Sequence, residues 1–477
     1  MLFYQDFLKE TEKIKIFICG IGGIGTSALA LLMKKLGYQV SGSNEEENKN
    51  TKRLKELGFE IFIGHKTENL KDCNLFVYSR AIDINSNIEA IEATARHIPR
   101  IERGEMLSIL MQNYYNIVVA GSHGKTTTTG FIGHVLQEIG LKPNILIGAV
   151  LNETNSNCKT DDGKYFVVES DESDGSFLRM PANIGVITNI DPEHMEFYKT
   201  KENLEYYFYK FAQNAVEKDG LVICIDDEIG KNIVAKLGGK NKKIITYSFH
   251  DDTADFYAKN IELKQNGLAF VAVNNITKTE ENVFIANMFG EINASNALAS
   301  FAVGHLLKQE AEKIAKSFAN FQGIQKRFTI TGKLQDTIIV DDYAHNPQKI
   351  ACAINSAKHY MQTNNLNGEL IVIFEPHRYT RVRDGIDLFA EMFAKVDKMI
   401  LLPIYASSEP KIEGIDEQFI LEKCKAKNKN VFQCELNAEL VAKKLQELNA
   451  FDKQNLIIFM GAGKSTKIAH EIVNIKL

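Results

Sequence analysis

Four residues in the stretch NIVVAGSHGKTTTTGFIGHVL could hold a triphosphate: Gly121, Gly124, Lys125 and Thr126. Glycines let backbone N–H groups approach phosphate oxygens, and the N-terminus of a following helix favours anions. Lys125 supplies a point charge, and the Thr126 hydroxyl suits a Mg²⁺ ion. The loop is a shortened phosphate loop, with only Ser122 and His123 between the two glycines; Thr127 completes the run. We read Gly121 to Thr127 as an ATP-binding segment. Lys125 rides on a loop, so its contribution falls on phosphate binding more than on the core.

Acidic residues accompany the loop. In FVVESDESDGSF a strand at Phe166 to Val168 ends at Glu169, a Mg²⁺-ligand position beside a phosphate loop. Glu169, Asp171, Glu172 and Asp174 crowd into six residues, and some of them have the alternative of simple solvation. GVITNIDPEHMEFY again ends a strand in Asn189, Asp191 and His194. His194 following a strand in an ATP-site domain reads as a metal ligand, with a structural histidine as the alternative. Thr126, Glu169 and His194 are therefore the expected metal residues, for Mg²⁺ or for Mn²⁺ in its place.

A second glycine loop, Gly20-x-Gly22-Gly23-x-Gly25, follows the apolar strand Ile16 to Cys19. Such a loop serves NAD, another diphosphate, or only a tight turn. A dinucleotide site wants an acid after the second strand. Here that strand ends in Ser41, Ser43 and Asn44. With a triphosphate loop already present, the diphosphate of a nucleotide-linked substrate fits better, with Ser43 nearby.

These residues need strands that end at one edge. Three segments supply them, beginning at KIFICGIGGIG, at NIVVAGSHGKT, and after about residue 328 in TIIVDDYAHNP, LIVIFEPHRYTR, KMILLPIYASSE and LIIFMGAGKST. Buried strands separated by helical patterns predict parallel α/β sheets with ligands beyond the strand carboxyl ends. The expected division is 1–113, 114–328 and 329–477, with a strand-rich elaboration between about 250 and 290. The 477 residues carry a net charge of −5 and are 44% hydrophobic. That balance gives no electrostatic footprint for nucleic acid. No apolar run reaches the ~18 residues of a membrane span. The start, with Lys9 and Glu10, lacks a signal-peptide layout, and the seven cysteines show no C-x-x-C spacing. A cytoplasmic protein with reduced thiols is expected.

GIGGIG, SGS, GSHGKTTTT, VESDESDGSF, TNIDPEHMEFY, DDYAHNP and FEPHRYTR, in this order, resemble the Mur ligases of peptidoglycan synthesis. DESDGSF and GIGGIG resemble its alanine-adding branch. The resemblance covers nearly the whole chain. It implies a Rossmann-like N-terminal domain for a UDP-linked substrate, a central P-loop-type ATPase domain, and a C-terminal Rossmann-like domain that closes on the amino-acid and ATP site. It implies that the carboxylate of UDP-N-acetylmuramate attacks ATP to give an acyl phosphate, which L-alanine then captures. It further implies catalytic roles for Lys125, Glu169, His194, His345 and Arg378. ATP contacts are implied for Asn296 (adenine), Arg327 (phosphate) and Asp342 (ribose). Contacts to the amino acid or intermediate are implied for Tyr343, His345, His377, Arg378 and Arg381. The chain departs from the family pattern at Asn44, Ile292, Lys326 and Asn346. Alternatives are a murein tripeptide-recycling ligase, a folylpolyglutamate-type ligase, an NAD-binding oxidoreductase using Gly20 to Gly25, and a non-catalytic nucleotide switch. Oligomeric state is left open.

Overall fold

The computed structural model describes residues 13–79, 81–173, 175–238, 243–407 and 409–475. Asp174 and the N-terminal stretch with Lys9 and Glu10 lie outside the described residues. The chain divides into two compact units: 1–258 with 272–281 and 295–318, and 259–271 with 282–294 and 319–477.

The first unit begins with β1 (Lys15–Cys19), β2 (Gln39–Asn44), β3 (Glu60–Ile63), β4 (Leu75–Tyr78) and β5 (Arg100–Glu102), all parallel, in the order β3-β2-β1-β4-β5. The chain runs outward from β1 in both directions, so a crevice opens beyond the carboxyl end of β1. The glycine loop sits there, where Gly20 takes φ +77°. A side chain on Gly42 would lie 2.3 Å from the Ile18 carbonyl, so β2 needs that glycine to approach β1.

The same unit holds β6 (Tyr115–Ala120), β7 (Asn144–Leu151), β8 (Ser156–Lys159), β9 (Tyr165–Glu169), β10 (Ile184–Ile187), β11 (Gly220–Cys224) and β12 (Ile244–Ser248). Their order is β12-β11-β10-β6-β9-β7-β8, parallel except for β8. β13 (Phe256–Lys264) joins β12 in parallel at Phe256 and Tyr257. With β14 (Gly267–Asn274) and β15 (Thr279–Ala286) it forms the strand-rich stretch expected from the alternating sequence, and all three are divided between the units. β6 is buried from Asn116 onward, and β9 and β10 flank it. The carboxyl ends of these three strands therefore carry the GSHGKT loop, the acidic stretch and the histidine segment together.

Phe177 anchors the acidic stretch. Its ring centroid lies 5.0 Å from that of Phe208 and 5.4 Å from that of Phe211, both on the helix Lys201–Glu217. Full burial of one phenylalanine contributes about 1.5–3 kcal/mol. The chain before it is thereby pinned to the sheet.

The second unit contains β16 (Thr329–Leu334), β17 (Thr337–Asp342), β18 (Leu370–Glu375), β19 (Lys398–Leu401), β20 (Val431–Gln433) and β21 (Leu456–Gly461). The order is β16-β17-β21-β18-β19-β20, with β16 antiparallel and the rest parallel. β17, β18, β19 and β21 are the four apolar runs of the third segment. Phe289, Phe328 and Tyr360 pack as a trio with centroids 5.0–5.7 Å apart, fixing the chain just after Arg327. The architecture is α/β with three mostly parallel sheets, as expected.

Candidate active site

The GSHGKT loop is shaped by contacts that admit only glycine at two positions. Gly121 has φ +136°, and a Cβ there would lie 2.1 Å from Thr188 Oγ1. Gly124 has φ +79°, and a Cβ would lie 2.6 Å from Asn296 Oδ1. The loop is braced by the end of β10. Ser122 N donates to the Asn189 carbonyl at 3.0 Å, and His123 N donates to Asn189 Oδ1 at 2.8 Å. The Ser122 hydroxyl donates to the Asp191 carbonyl at 3.1 Å. Gly124, which has no side chain to cap with, opens the helix Lys125–Glu138, and no acid lies in its first turn. An anion is favoured at such an end. Thr127 is buried in that helix, and Thr128 Oγ1 donates to Asn296 Oδ1 at 3.3 Å. Asn296 thus sits against the loop itself.

Lys125 Nζ donates to the Gly121 carbonyl at 2.5 Å and lies 2.7 Å from Glu172 Oε2. Glu172 is 2% exposed. Burial pushes its carboxyl pKa up, and the Lys125 ammonium opposes that shift. The approach is an ion pair without hydrogen-bond alignment, so Oε2 keeps hydrogen-bonding capacity. The cation therefore touches a buried acid as well as the loop.

Thr126 Oγ1 donates to Glu169 Oε1 at 2.8 Å, and Glu169 Oε2 accepts from Gly148 N at 2.6 Å. His194, at φ +56°, stands with Glu172 and Glu193; these three offer ligand atoms within 4.8 Å of one another. The expected metal residues thus fall into a hydroxyl–carboxylate pair and a separate histidine–carboxylate set. Hard carboxylate and hydroxyl oxygens suit Mg²⁺, and an added imidazole suits Mn²⁺ as well. Glu172 and Glu193 were not singled out from sequence. Four neighbouring acids gave no sign of which one turns inward. Tyr198 decides it by donating its hydroxyl to the Glu172 carbonyl.

At the N-terminal glycine loop, Gly20 N and Ile21 N both donate to the Ser43 carbonyl at 2.9 Å. Gly22 N donates to Asn44 Oδ1 at 3.0 Å, so Asn44 supplies the acceptor that an aspartate would supply. Gly23 caps the next helix, and a Cβ on Gly25 would crowd the Arg103 side chain at 3.1–3.3 Å. Ser43 Oγ donates to Glu89 Oε2 at 2.5 Å, and His65 Nδ1 lies 2.9 Å from the same oxygen. Ser43 was expected here, but its Glu89 and His65 partners were not; neither of the two has a motif around it.

In the second unit the expected amino-acid residues come together. Arg381 donates to His377 Nδ1 at 2.6 Å. The His377 ring meets His345 edge-on at 5.4 Å, and His345 meets Tyr343 at 5.0 Å. The Arg327 guanidinium lies 5.8 Å from the Tyr343 ring centroid. Lys326, where arginine is usual, also lies over that ring at 5.6 Å. Burial and the Lys349 and Arg381 charges push His345 down to about 2. Burial, aided by Arg381, pushes His377 down to about 4. His345 Nδ1 lies 2.8 Å from the Tyr343 carbonyl, which fixes the proton on Nδ1 and leaves Nε2 as acceptor. A neutral imidazole of this kind accepts a hydrogen bond; it does not store a proton.

Asp342 is committed locally: its two oxygens accept from Phe328 N and Ala344 N, each at 2.8 Å. Asn346 caps the helix Pro347–Thr363 by accepting from Lys349 N. Arg378, at φ +70°, donates Nε to Glu409 Oε1 at 2.6 Å. Glu409 also accepts from Thr380 N and Thr380 Oγ1. Burial raises the Glu409 carboxyl, but Thr380 and Arg378 outweigh it and hold it at about 2. Glu409 is the last residue of KMILLPIYASSE, a polar strand end in the sequence, but nothing there marked it as the partner of Arg378. The GAGKST loop after β21 spends its amides internally: Lys464 N and Ser465 N donate to the buried Glu375 carboxylate at 3.0 and 2.8 Å.

Three family models match along the chain: "Mur ligase family, catalytic domain" over residues 15–115, "Mur ligase middle domain" over 119–304, and "Mur ligase, glutamate ligase domain" over 326–463. The chain is 36% identical to the UDP-N-acetylmuramate–L-alanine ligase of Rickettsia felis, over 98% of each chain. Among solved structures, it resembles a UDP-N-acetylmuramate-alanine ligase from Thermotoga maritima, with a TM-score of 0.82 and 25% identity over 97% of this chain and 98% of the other. A murein peptide ligase from Psychrobacter arcticus shares the fold, with a TM-score of 0.70 and 21% identity over 97% of this chain and 98% of the other.

Proposed function

The chain belongs to the Mur ligase family, and from that membership we propose that it joins L-alanine to the carboxylate of UDP-N-acetylmuramate, with ATP converted to ADP and phosphate, in peptidoglycan precursor synthesis. The observation that carries the proposal is the phosphate loop at the end of β6. It presents Lys125 and an uncapped helix N-terminus, with the Thr126–Glu169 pair beside them. The full-length likeness to alanine ligases supports the choice of amino acid.

In this reading the amides of the Lys125–Glu138 helix N-terminus and the Lys125 ammonium hold the ATP phosphates. They offset the repulsion between the substrate carboxylate and the γ-phosphate. Mg²⁺ bound through Thr126, Glu169 and His194 would add charge neutralisation there, with Glu172 and Glu193 at hand. The glycine loop after β1, with Ser43, takes the UDP portion. Asn296, Arg327 and Asp342 serve ATP. Tyr343, His345, His377, Arg378 and Arg381 receive the amino acid and the acyl phosphate. Neutral His345 accepts a hydrogen bond from the incoming amine, and the arginines stabilise the tetrahedral anion. The functional segments are 1–113, 114–328 and 329–477, and the cytoplasm, where ATP and nucleotide sugars are found, is the proposed location. Among the described residues no helix is long and apolar enough to cross a membrane.

The test is phosphate release by the purified protein with ATP, Mg²⁺ and UDP-N-acetylmuramate against a panel of amines. L-Alanine should trigger release well above glycine and L-serine. Release with the murein tripeptide and none with L-alanine would make it a recycling ligase instead.

A further inference from the structure

Resting on the reading of the β1 loop as a nucleotide-sugar site, we propose that Arg103 binds the diphosphate of the substrate, together with the first amides of the helix Ile24–Lys35. Arg103 opens the helix Arg103–Met111, directly after β5. Its guanidinium lies against Gly25, the last glycine of the loop. A Cβ on Gly25 would stand 3.1 Å from Arg103 Cδ, 3.1 Å from Nη1 and 3.3 Å from Cζ.

Two features of this corner suit an anion. The guanidinium is half-buried and has no hydrogen bond or ion pair among the described residues. Glu102 and Asp171 act on it only through longer-range attraction, and burial works against its charge. Five N–H donors in a fixed fork match phosphate oxygens, and a half-buried unpaired cation is unfavourable until they are met. The second feature is the helix end. No side chain caps it, no acid lies in its first turn, and the Ile24, Gly25 and Thr26 amides find no acceptor among the described residues. The GAGKST loop supplies an internal contrast, since there the buried Glu375 carboxylate already fills the amides. At the β1 loop the chain provides no such group and adds a cation instead. Gly25 lets the guanidinium stay this close, because a Cβ there would make it give by a few tenths of an ångström.

The ligand chemistry is an organic diphosphate. The carboxylate of the muramoyl group is the other anion that Arg103 could meet, and the probes separate them. UDP, UDP-N-acetylglucosamine (which lacks that carboxylate), UDP-N-acetylmuramate and uridine would be titrated calorimetrically into the full-length wild type, Arg103→Lys and Arg103→Gln. The loss of one charge-assisted contact corresponds to roughly 10- to 100-fold in affinity. Arg103→Gln should weaken all three diphosphates by that factor and leave uridine unchanged, with Arg103→Lys in between. The KM for UDP-N-acetylmuramate should rise while the KM for ATP does not. Unliganded Arg103→Gln should unfold at no lower temperature than wild type, because the guanidinium holds no hydrogen-bond or ion-pair partner among the described residues. Unchanged UDP affinity in Arg103→Gln, equal weakening of uridine and UDP, or weakening confined to UDP-N-acetylmuramate would each overturn the assignment. If the wild type still forms product in any of those cases, the proposed function stands and only the role of Arg103 falls. A wild type that neither binds UDP nor forms product would remove both.

Discussion

Lys125 and Glu172 form an ion pair 2.7 Å apart, in which the carboxylate belongs to a residue that is 2% exposed. The lysine of the phosphate loop thus neutralises a buried acid before any phosphate arrives. Removing one partner of a buried pair costs about 3–5 kcal/mol, because the other charge is left uncompensated. Lys125→Met should therefore lose both ATP turnover and stability. Adding Glu172→Gln should restore much of the stability and none of the turnover. Urea unfolding of the two variants checks this; equal stability of Lys125→Met and wild type would contradict it.

The Thr126–Glu169 hydrogen bond of 2.8 Å joins the two oxygen groups proposed to hold Mg²⁺ beside the phosphate loop. Glu169→Gln preserves shape and removes the charge. The Mg²⁺ concentration for half-maximal rate should rise roughly 10- to 100-fold, with the rate partly recovered at high Mg²⁺. A variant with wild-type Mg²⁺ dependence would reduce Glu169 to a loop brace for Gly148.

His345 and His377 are held neutral, at about 2 and about 4 against an ordinary value near 6.5. The unfolded chain binds protons that the folded chain refuses. The stability of the neutral form is complete above about pH 6.5 and is lost as pH falls through the window below it. The slope approaches about 1.4 kcal/mol per pH unit for each imidazole between its unfolded and folded values. His345→Gln should flatten the fall in stability between pH 6 and 4. An unchanged slope in chemical unfolding at stepped pH would show that His345 titrates normally.

Glu409 holds Arg378 by an Nε–Oε1 bond of 2.6 Å while Arg378 occupies a left-handed backbone conformation. A carboxylate that fixes an arginine acts through it. Glu409→Ala should raise the KM for L-alanine and lower kcat, with the KM for ATP unchanged and Glu409→Gln partly rescuing both. A variant in which all three substrates weaken together would point to a folding defect instead.

Local chemistry made the phosphate loop legible, since strand, glycines, lysine and helix follow one another in the chain. Glu169 was legible for the same reason, as the polar residue that ends the apolar run of β9. Glu172 was not, because its burial depends on Phe177 packing between Phe208 and Phe211 and on the Tyr198 hydroxyl, all supplied by other elements. Arg103 was equally hidden. A single arginine after a short strand means nothing until β5 is set beside β4, bringing it onto Gly25. Asp342 was legible as the end of a strand, but the commitment of both its oxygens to Phe328 and Ala344 was not. GAGKST looked like one more polar strand end, and only the fold reveals that Glu375 occupies it.

The central claim, carboxylate activation by ATP followed by capture with L-alanine, is tested most directly by isotope transfer. UDP-N-acetylmuramate labelled with ¹⁸O in its carboxylate would be turned over with ATP, Mg²⁺ and L-alanine, and the released phosphate read by mass spectrometry. The account predicts one ¹⁸O per phosphate, matched by an alanylated product that retains the other ¹⁸O. Phosphate without label would contradict the acyl-phosphate route, and label transferred only when a different amine is supplied would contradict the choice of alanine.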